Sequence, residues 1–164
     1  MGYLEDGVVE IKDIQVPSEE RFQEGPIALI ECVQEIPCDP CVDSCPQGAI
    51  TMGDSINNVP EIDFDKCNGC GICIANCPGL AIFLIDKTCG ENKARVSLPY
   101  EFLPLPEKEE KVILLDRGGE MCGEGEVVRV RNAKAQDRTP VITIAMDKEL
   151  AMTVRFFRRK ADEE

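Results

Sequence analysis

Residues 67–78 read Cys67-Asn-Gly-Cys70-Gly-Ile-Cys73-Ile-Ala-Asn-Cys77-Pro78, and the spacing of these four thiols decides how the rest of the chain is read. Three sulfurs at every third position gather on one centre when a tight loop carries them. A helical turn begun at Cys73 aims the fourth sulfur away from that centre, and Pro78 disfavours helical geometry at Cys77, which makes it the exit from the turn. Gly69 and Gly71 can take positive φ and let backbone N–H groups face the centre, where a Cβ would obstruct them. Upstream, residues 38–50 read Cys38-Asp-Pro-Cys41-Val-Asp-Ser-Cys45-Pro46-Gln-Gly-Ala49-Ile50. Their cysteines, proline and Ala-Ile pair recur at a constant offset of 32 in residues 70–82, so one unit is duplicated.

This arrangement resembles the bacterial-type two-cluster ferredoxins, in which the last cysteine of each run ligates the other run's cluster. The resemblance covers residues 27–86 and implies two 4Fe-4S clusters gripped crosswise. Cys67, Cys70 and Cys73 would share one with Cys45, while Cys38 and Cys41 share the other with Cys77. The first half departs from the pattern, because an offset of 32 from Cys67 lands on Glu35. The nearest thiol is Cys32, which gives Cys-x5-Cys-x2-Cys-x3-Cys-Pro. Cys32 closes the first cluster if the loop bulges around Ile36-Pro37. The competing readings are a 3Fe-4S cluster and a cluster completed by Glu35. Structural zinc explains the pattern poorly, since it gives no reason for a third thiol three residues after the second or for the following proline. A disulfide framework is disfavoured by the same close spacing.

The net charge of −13, from 31 acidic and 18 basic residues, disfavours nucleic-acid binding and suits solubility or the steering of an acidic electron carrier toward a basic partner. The absence of histidine removes the commonest acid–base group and excludes Rieske ligation. No phosphate-binding glycine loop appears, so no flavin or nucleotide is expected on this chain. No stretch is long and apolar enough for a membrane span, and the acidic start lacks a signal-peptide layout. A cytoplasmic location with reduced thiols, in an anaerobic or otherwise reducing setting, is the expectation.

The fold class expected is α+β: a duplicated ferredoxin-like unit, strand–loop–helix–strand twice, followed by a small all-β SH3-like barrel. Residues 1–26 form an extension with one strand over Gly7–Ile14. Residues 27–92 form the cluster domain, with strands at Ile27–Ile30, Ala49–Met52, Glu61–Phe64 and Leu80–Ile85. An iron-free segment 27–86 is expected to lack a fold of its own, because so short a unit buries little apolar surface. Residues 93–164 form the barrel, which is expected to dock a subunit. Its strands are read near Lys111–Asp116, Glu126–Arg131, Thr139–Met146 and Met152–Phe157, with a helical turn at Asp147–Ala151. Cys89 and Cys122, each a lone cysteine, read as inert thiols, with a redox-active or ligating role as the alternative. Arg155, Arg158, Arg159 and Lys160 form a basic cluster suited to solvent or to a subunit contact.

The segment Cys77-Pro-Gly-Leu-Ala-Ile-Phe83, with Pro99-Tyr-Glu-Phe-Leu-Pro-Leu-Pro106 beyond it, resembles the small ferredoxin-type subunit of multisubunit, flavin-containing amino-acid dehydrogenases of the proline and hydroxyproline type. That resemblance implies a non-catalytic electron-transfer subunit in a hetero-oligomer, serving a flavin on a partner chain. A free, diffusing ferredoxin with several redox partners is the alternative.

Overall fold

Ile27-Ala-Leu-Ile30 is apolar at every position because both of its faces are covered. The computed structural model describes residues 2–160. Two short helices, α1 (Tyr3–Asp6) and α2 (Glu19–Glu24), precede strand β1 (Ile27–Ile30). Helix α3 (Pro40–Ser44), strands β2 (Ile50–Thr51) and β3 (Glu61–Ile62), helix α4 (Ile72–Asn76) and strand β4 (Ile82–Asp86) complete the cysteine-bearing part. The remaining strands are β5 (Lys93–Pro99), β6 (Lys111–Leu115), β7 (Met121–Arg131), β8 (Val141–Asp147) and β9 (Phe156–Arg159). A 3-10 turn at Lys148–Leu150 stands where one helical turn is expected before the last strand.

Seven strands form one antiparallel sheet in the order β1-β4-β5-β8-β7-β6-β9, while β2 and β3 pair separately. The pairing of β4 with β5 carries the sheet across residue 92. The expected SH3-like barrel does not close: among the described residues β1 and β9 are the two edges of an open sheet. The physical reason lies at β5, whose second edge is taken by β4 and is not free to receive β9. Packing is close within β7, where a Cβ on Gly125 would stand 2.8 Å from Ile144 and 2.9 Å from the Ala145 carbonyl. Its glycine lets β6 and β8 approach closely.

Alternation along β1 and β4 assigns their side chains to two cores. Ile27, Leu29, Phe83 and Ile85 join Val96, Leu98, Leu114, Ile142, Ile144 and Phe157 on one face. Ala28, Ile30 and Ile82 face the other way, with Ile50, Ile62, Ile74, Cys41 and Cys73. The cysteine loops therefore sit on a sheet whose reverse side is already filled.

The expected strand over Gly7–Ile14 is not formed. Gly7 ends α1 in the left-handed region (φ 77°), and Ile11–Asp13 form a 3-10 turn in which the Asp13 carboxylate accepts the Glu10 N–H at 2.9 Å. These local hydrogen bonds satisfy the backbone that a strand would have paired. The edge of β3 is covered instead by a side chain: Gln15 Oε1 accepts the Ile62 N–H at 2.8 Å.

Candidate metal centres

Both cysteine loops run into a five-residue helix, and the same geometry recurs at the offset of 32. Helix α3 is followed by Cys45 at φ −82°, ψ 107°, and α4 by Cys77 at φ −83°, ψ 110°. The Ala49 N–H points to Cys45 Sγ at 3.3 Å, and the Ala81 N–H to Cys77 Sγ at 3.4 Å. Gly48 is left-handed at φ 58°, and its counterpart Leu80 takes φ 53° despite its side chain. A leucine there costs about 1–2 kcal/mol, which the surrounding turn must offset.

The two helices carry the fourth thiol of each loop across to the other loop. Cys45, from the first loop, stands with Cys67, Cys70 and Cys73 around a cavity of about 20 Å³ that is otherwise lined mainly by apolar groups such as Ala28, Ile50 and Ile62. Burial pushes the Cys73 thiol up to about 12, and the neighbouring Cys67, Cys70 and Cys45 push it the same way. Cys41 rises to about 11 through burial and through Cys77, and Cys32 is raised by burial, Cys77 and Cys38. Cys32 and Cys41 each lie near both Cys38 and Cys77, while Glu35 is exposed. Thiols so hard to ionise stay protonated until a metal displaces the proton, so cofactor binding releases protons and weakens as pH falls.

The site fits a polynuclear cluster on the chemistry of its donors, which are thiols in apolar surroundings. In a cluster each thiolate takes its own iron. Gly69 and Gly71 adopt φ 70° and 71° as the spacing predicts. A Cβ on Gly69 would collide with the Pro26 carbonyl, so the loop packs closely against the residue that precedes β1.

Two supports were not legible in the sequence. Arg21, only 12% exposed, donates to the carbonyls of Phe64 (2.9 Å), Cys67 (2.7 Å), Pro26 and Gly25 and so fixes the start of the second loop. Glu31, adjacent to Cys32, accepts from Arg117 at 2.7 and 3.0 Å and from Arg155 at 2.5 Å, all three side chains being 12% exposed or less. Burial and the nearby Arg117 lower the Arg155 pKa, and Glu31 opposes them. The C-terminal basic cluster is therefore used internally in large part: Arg155 binds Glu31, Arg159 binds Glu110 and Lys160 binds Glu124. Cys89 and Cys122 each point to a backbone carbonyl, that of Asp86 and that of Leu114, outside the two thiol groups.

No helix among the described residues is long and apolar enough to cross a membrane. The profile of the 4Fe-4S dicluster domain family matches residues 31–81. The chain is 41% identical over 56 residues to a ferredoxin-type protein NapF of Haemophilus influenzae, covering 33% of this chain and 32% of that protein. It is 47% identical over 47 residues to the pyruvate synthase subunit PorD of Methanothermobacter marburgensis, covering 29% and 51%. Over 49 residues it is 45% identical to a subunit of an ion-translocating oxidoreductase complex of Methanosarcina acetivorans, covering 30% and 17%. The chain thus spans about half or less of the length of these curated relatives. No solved structure matches it. Residues 31–81 thus match a 4Fe-4S dicluster domain and, over much the same stretch, resemble proteins named as ferredoxin-type.

Proposed function

We propose that this chain is a non-catalytic electron-transfer subunit that relays single electrons from the flavin of a partner dehydrogenase, one that oxidises amino acids, to an acceptor. Cys32, Cys38, Cys41 and Cys77 hold the first 4Fe-4S cluster, and Cys45, Cys67, Cys70 and Cys73 hold the second. The observation that carries the assignment is the exchange of the fourth thiol, with Cys45 among the thiols of the second loop. When bound, such clusters supply reversible one-electron storage. The protein's part is to position the sulfurs and tune them. The N–H groups of Ala49 and Ala81 withdraw electron density from Cys45 and Cys77 and favour the reduced, more negative state. The acidic surface acts in the opposite sense.

The flavin-bearing partner is supported by the resemblance of residues 77–83 and 99–106 to the small subunits of amino-acid dehydrogenases. A bound rather than freely diffusing role is supported by relatives that are themselves named as subunits of a pyruvate synthase and of an ion-translocating complex. A cytoplasmic location belongs to the same reading. Purified anaerobically from its source, the protein is expected to arrive at fixed stoichiometry with a flavin-containing chain. It should also take up about two electrons per polypeptide in a dithionite titration followed by visible bleaching. A monomer without flavoprotein would contradict the partner, and a chain that takes up no electrons would contradict the relay.

A further inference from the structure

Most of the cations in this acidic chain are neutralised by a carboxylate, and three that are not lie together. The side chains of Arg95, Arg129 and Arg131 make no ion pair or hydrogen bond with any described residue, unlike those of Arg117, Arg155 and Arg159. They stand on neighbouring strands of one sheet face. Ser97 pairs with Thr143 across β5 and β8, and Thr143 pairs with Arg129 across β8 and β7. Arg95 and Arg131 stand two residues along from that row, next to Ala145 and Val141 respectively. This is the face that also carries the cysteine loops, since Leu84 pairs with Ser97.

Arg95 and Arg129, with Ser97, Thr143, Gly69 and one carboxylate, that of Asp86 opposite Arg95, line an open groove of about 330 Å³, in which the cations outnumber the acid. Gly69 lies between Cys67 and Cys70. Arg131 reaches the same loop: its Nη1 is 3.8 Å from where a Cβ on Gly71 would be. The groove therefore runs beside the loop of the second thiol group.

We propose that the Arg95–Arg129–Arg131 face is a docking surface for a partner protein that presents a row of carboxylates, seated against the loop that holds Cys67, Cys70 and Cys73. The spacing selects this occupant over a small anion. Arg95 and Arg129 are two strands apart, roughly 10 Å, and Arg131 is about 7 Å further along β7 than Arg129. No single carboxylate or phosphate spans them. The hydroxyls on the floor are bonded to each other, with Ser97 and Thr143 2.8 Å apart, which leaves the arginines as the recognising groups. The proposal rests on the electron-transfer reading, because it is the adjacent thiol loop that gives docking here a purpose.

A fluorescein-labelled decaglutamate peptide, titrated against the iron-loaded full chain at low salt, tests it by anisotropy. Binding is expected despite the chain's own negative charge, and R95E/R129E/R131E is expected to weaken it at least about tenfold. R138E/K148E, which reverses cations elsewhere, should leave it within about twofold. R95Q/R129Q replaces the triple variant if that fails to load iron. Absence of binding, or equal loss in R138E/K148E, would overturn the proposal. Displacement by inorganic pyrophosphate at concentrations well below the peptide's would overturn it as well, by marking a small-anion site. Dithionite bleaching of the same samples reports the electron-transfer reading separately: samples that bind peptide but do not bleach refute the relay and leave the acidic-partner surface standing.

Discussion

Glu31→Gln is expected to destabilise the iron-loaded protein by about 3–5 kcal/mol, the usual cost of removing one partner from a buried ion-pair network. Two guanidiniums, those of Arg117 and Arg155, would then be left in a region where all three side chains are at most 12% exposed. Arg155 has little else to turn to. Its Nη1 is spent on the Ala151 and Val154 carbonyls, its Nη2 has no hydrogen-bond partner, and the Phe83 ring lies 5.2 Å from its centre. Urea unfolding measures the change. The exposed pair Lys12–Glu10 is the control, where Glu10→Gln should change stability by less than about 1 kcal/mol. A loss below about 1 kcal/mol in Glu31→Gln would mean that the network does not tie residues 31 and 155 together as argued.

Stripping the iron should unravel one side of the sheet and spare the other. The elements on the cysteine side are too short to stand alone, with two helices of five residues and a two-strand ladder with two residues per strand. Their core includes the buried thiols of Cys41 and Cys73, which the metal would hold in place. The reverse core contains Val96, Leu98, Leu114, Ile142 and Ile144, and of the eight ligand cysteines only Cys67 packs against it, from its margin. Amide exchange is therefore expected to lose protection across residues 32–80 in the chelated protein and to keep it in β5, β7 and β8. This narrows the segment expected to collapse, 27–86, because β1 and β4 are also held by the reverse core. Uniform loss over the whole chain, or unchanged protection in 32–80, would contradict the two-core account.

What the sequence discloses here is what repeats or alternates locally. The offset of 32 between cysteine runs is visible in one dimension, and the helices and the Cys–Pro exits follow from it, while the positive φ of Gly69 and Gly71 follows from glycines set between closely spaced cysteines. Strands β6 and β8 are read from short runs of apolar residues. The rest depends on contacts between distant residues. The alternation in Gly7–Ile14 promises a strand, yet a strand needs an open edge, and Gln15 occupies the one at β3 with its side chain. The turn and strands of the C-terminal half suggest a barrel, yet whether a sheet closes depends on what claims its edges, and β4 claims that of β5. Arg155 looks like one more cation in a basic tail. Its partner is 124 residues away, and no local pattern marks the pair.

The central claim is that the two cysteine runs hold two clusters by exchanging their last thiols, with Cys32 completing the first. Iron and acid-labile sulfide, counted in protein prepared without oxygen, test it most directly when wild type and Cys32→Ser are compared. The account predicts about eight of each per wild-type chain and a measurable loss of iron, with altered spectra, in Cys32→Ser. A colourless wild-type protein carrying zinc would contradict the clusters, and unchanged iron and spectra in Cys32→Ser would contradict the ligand set.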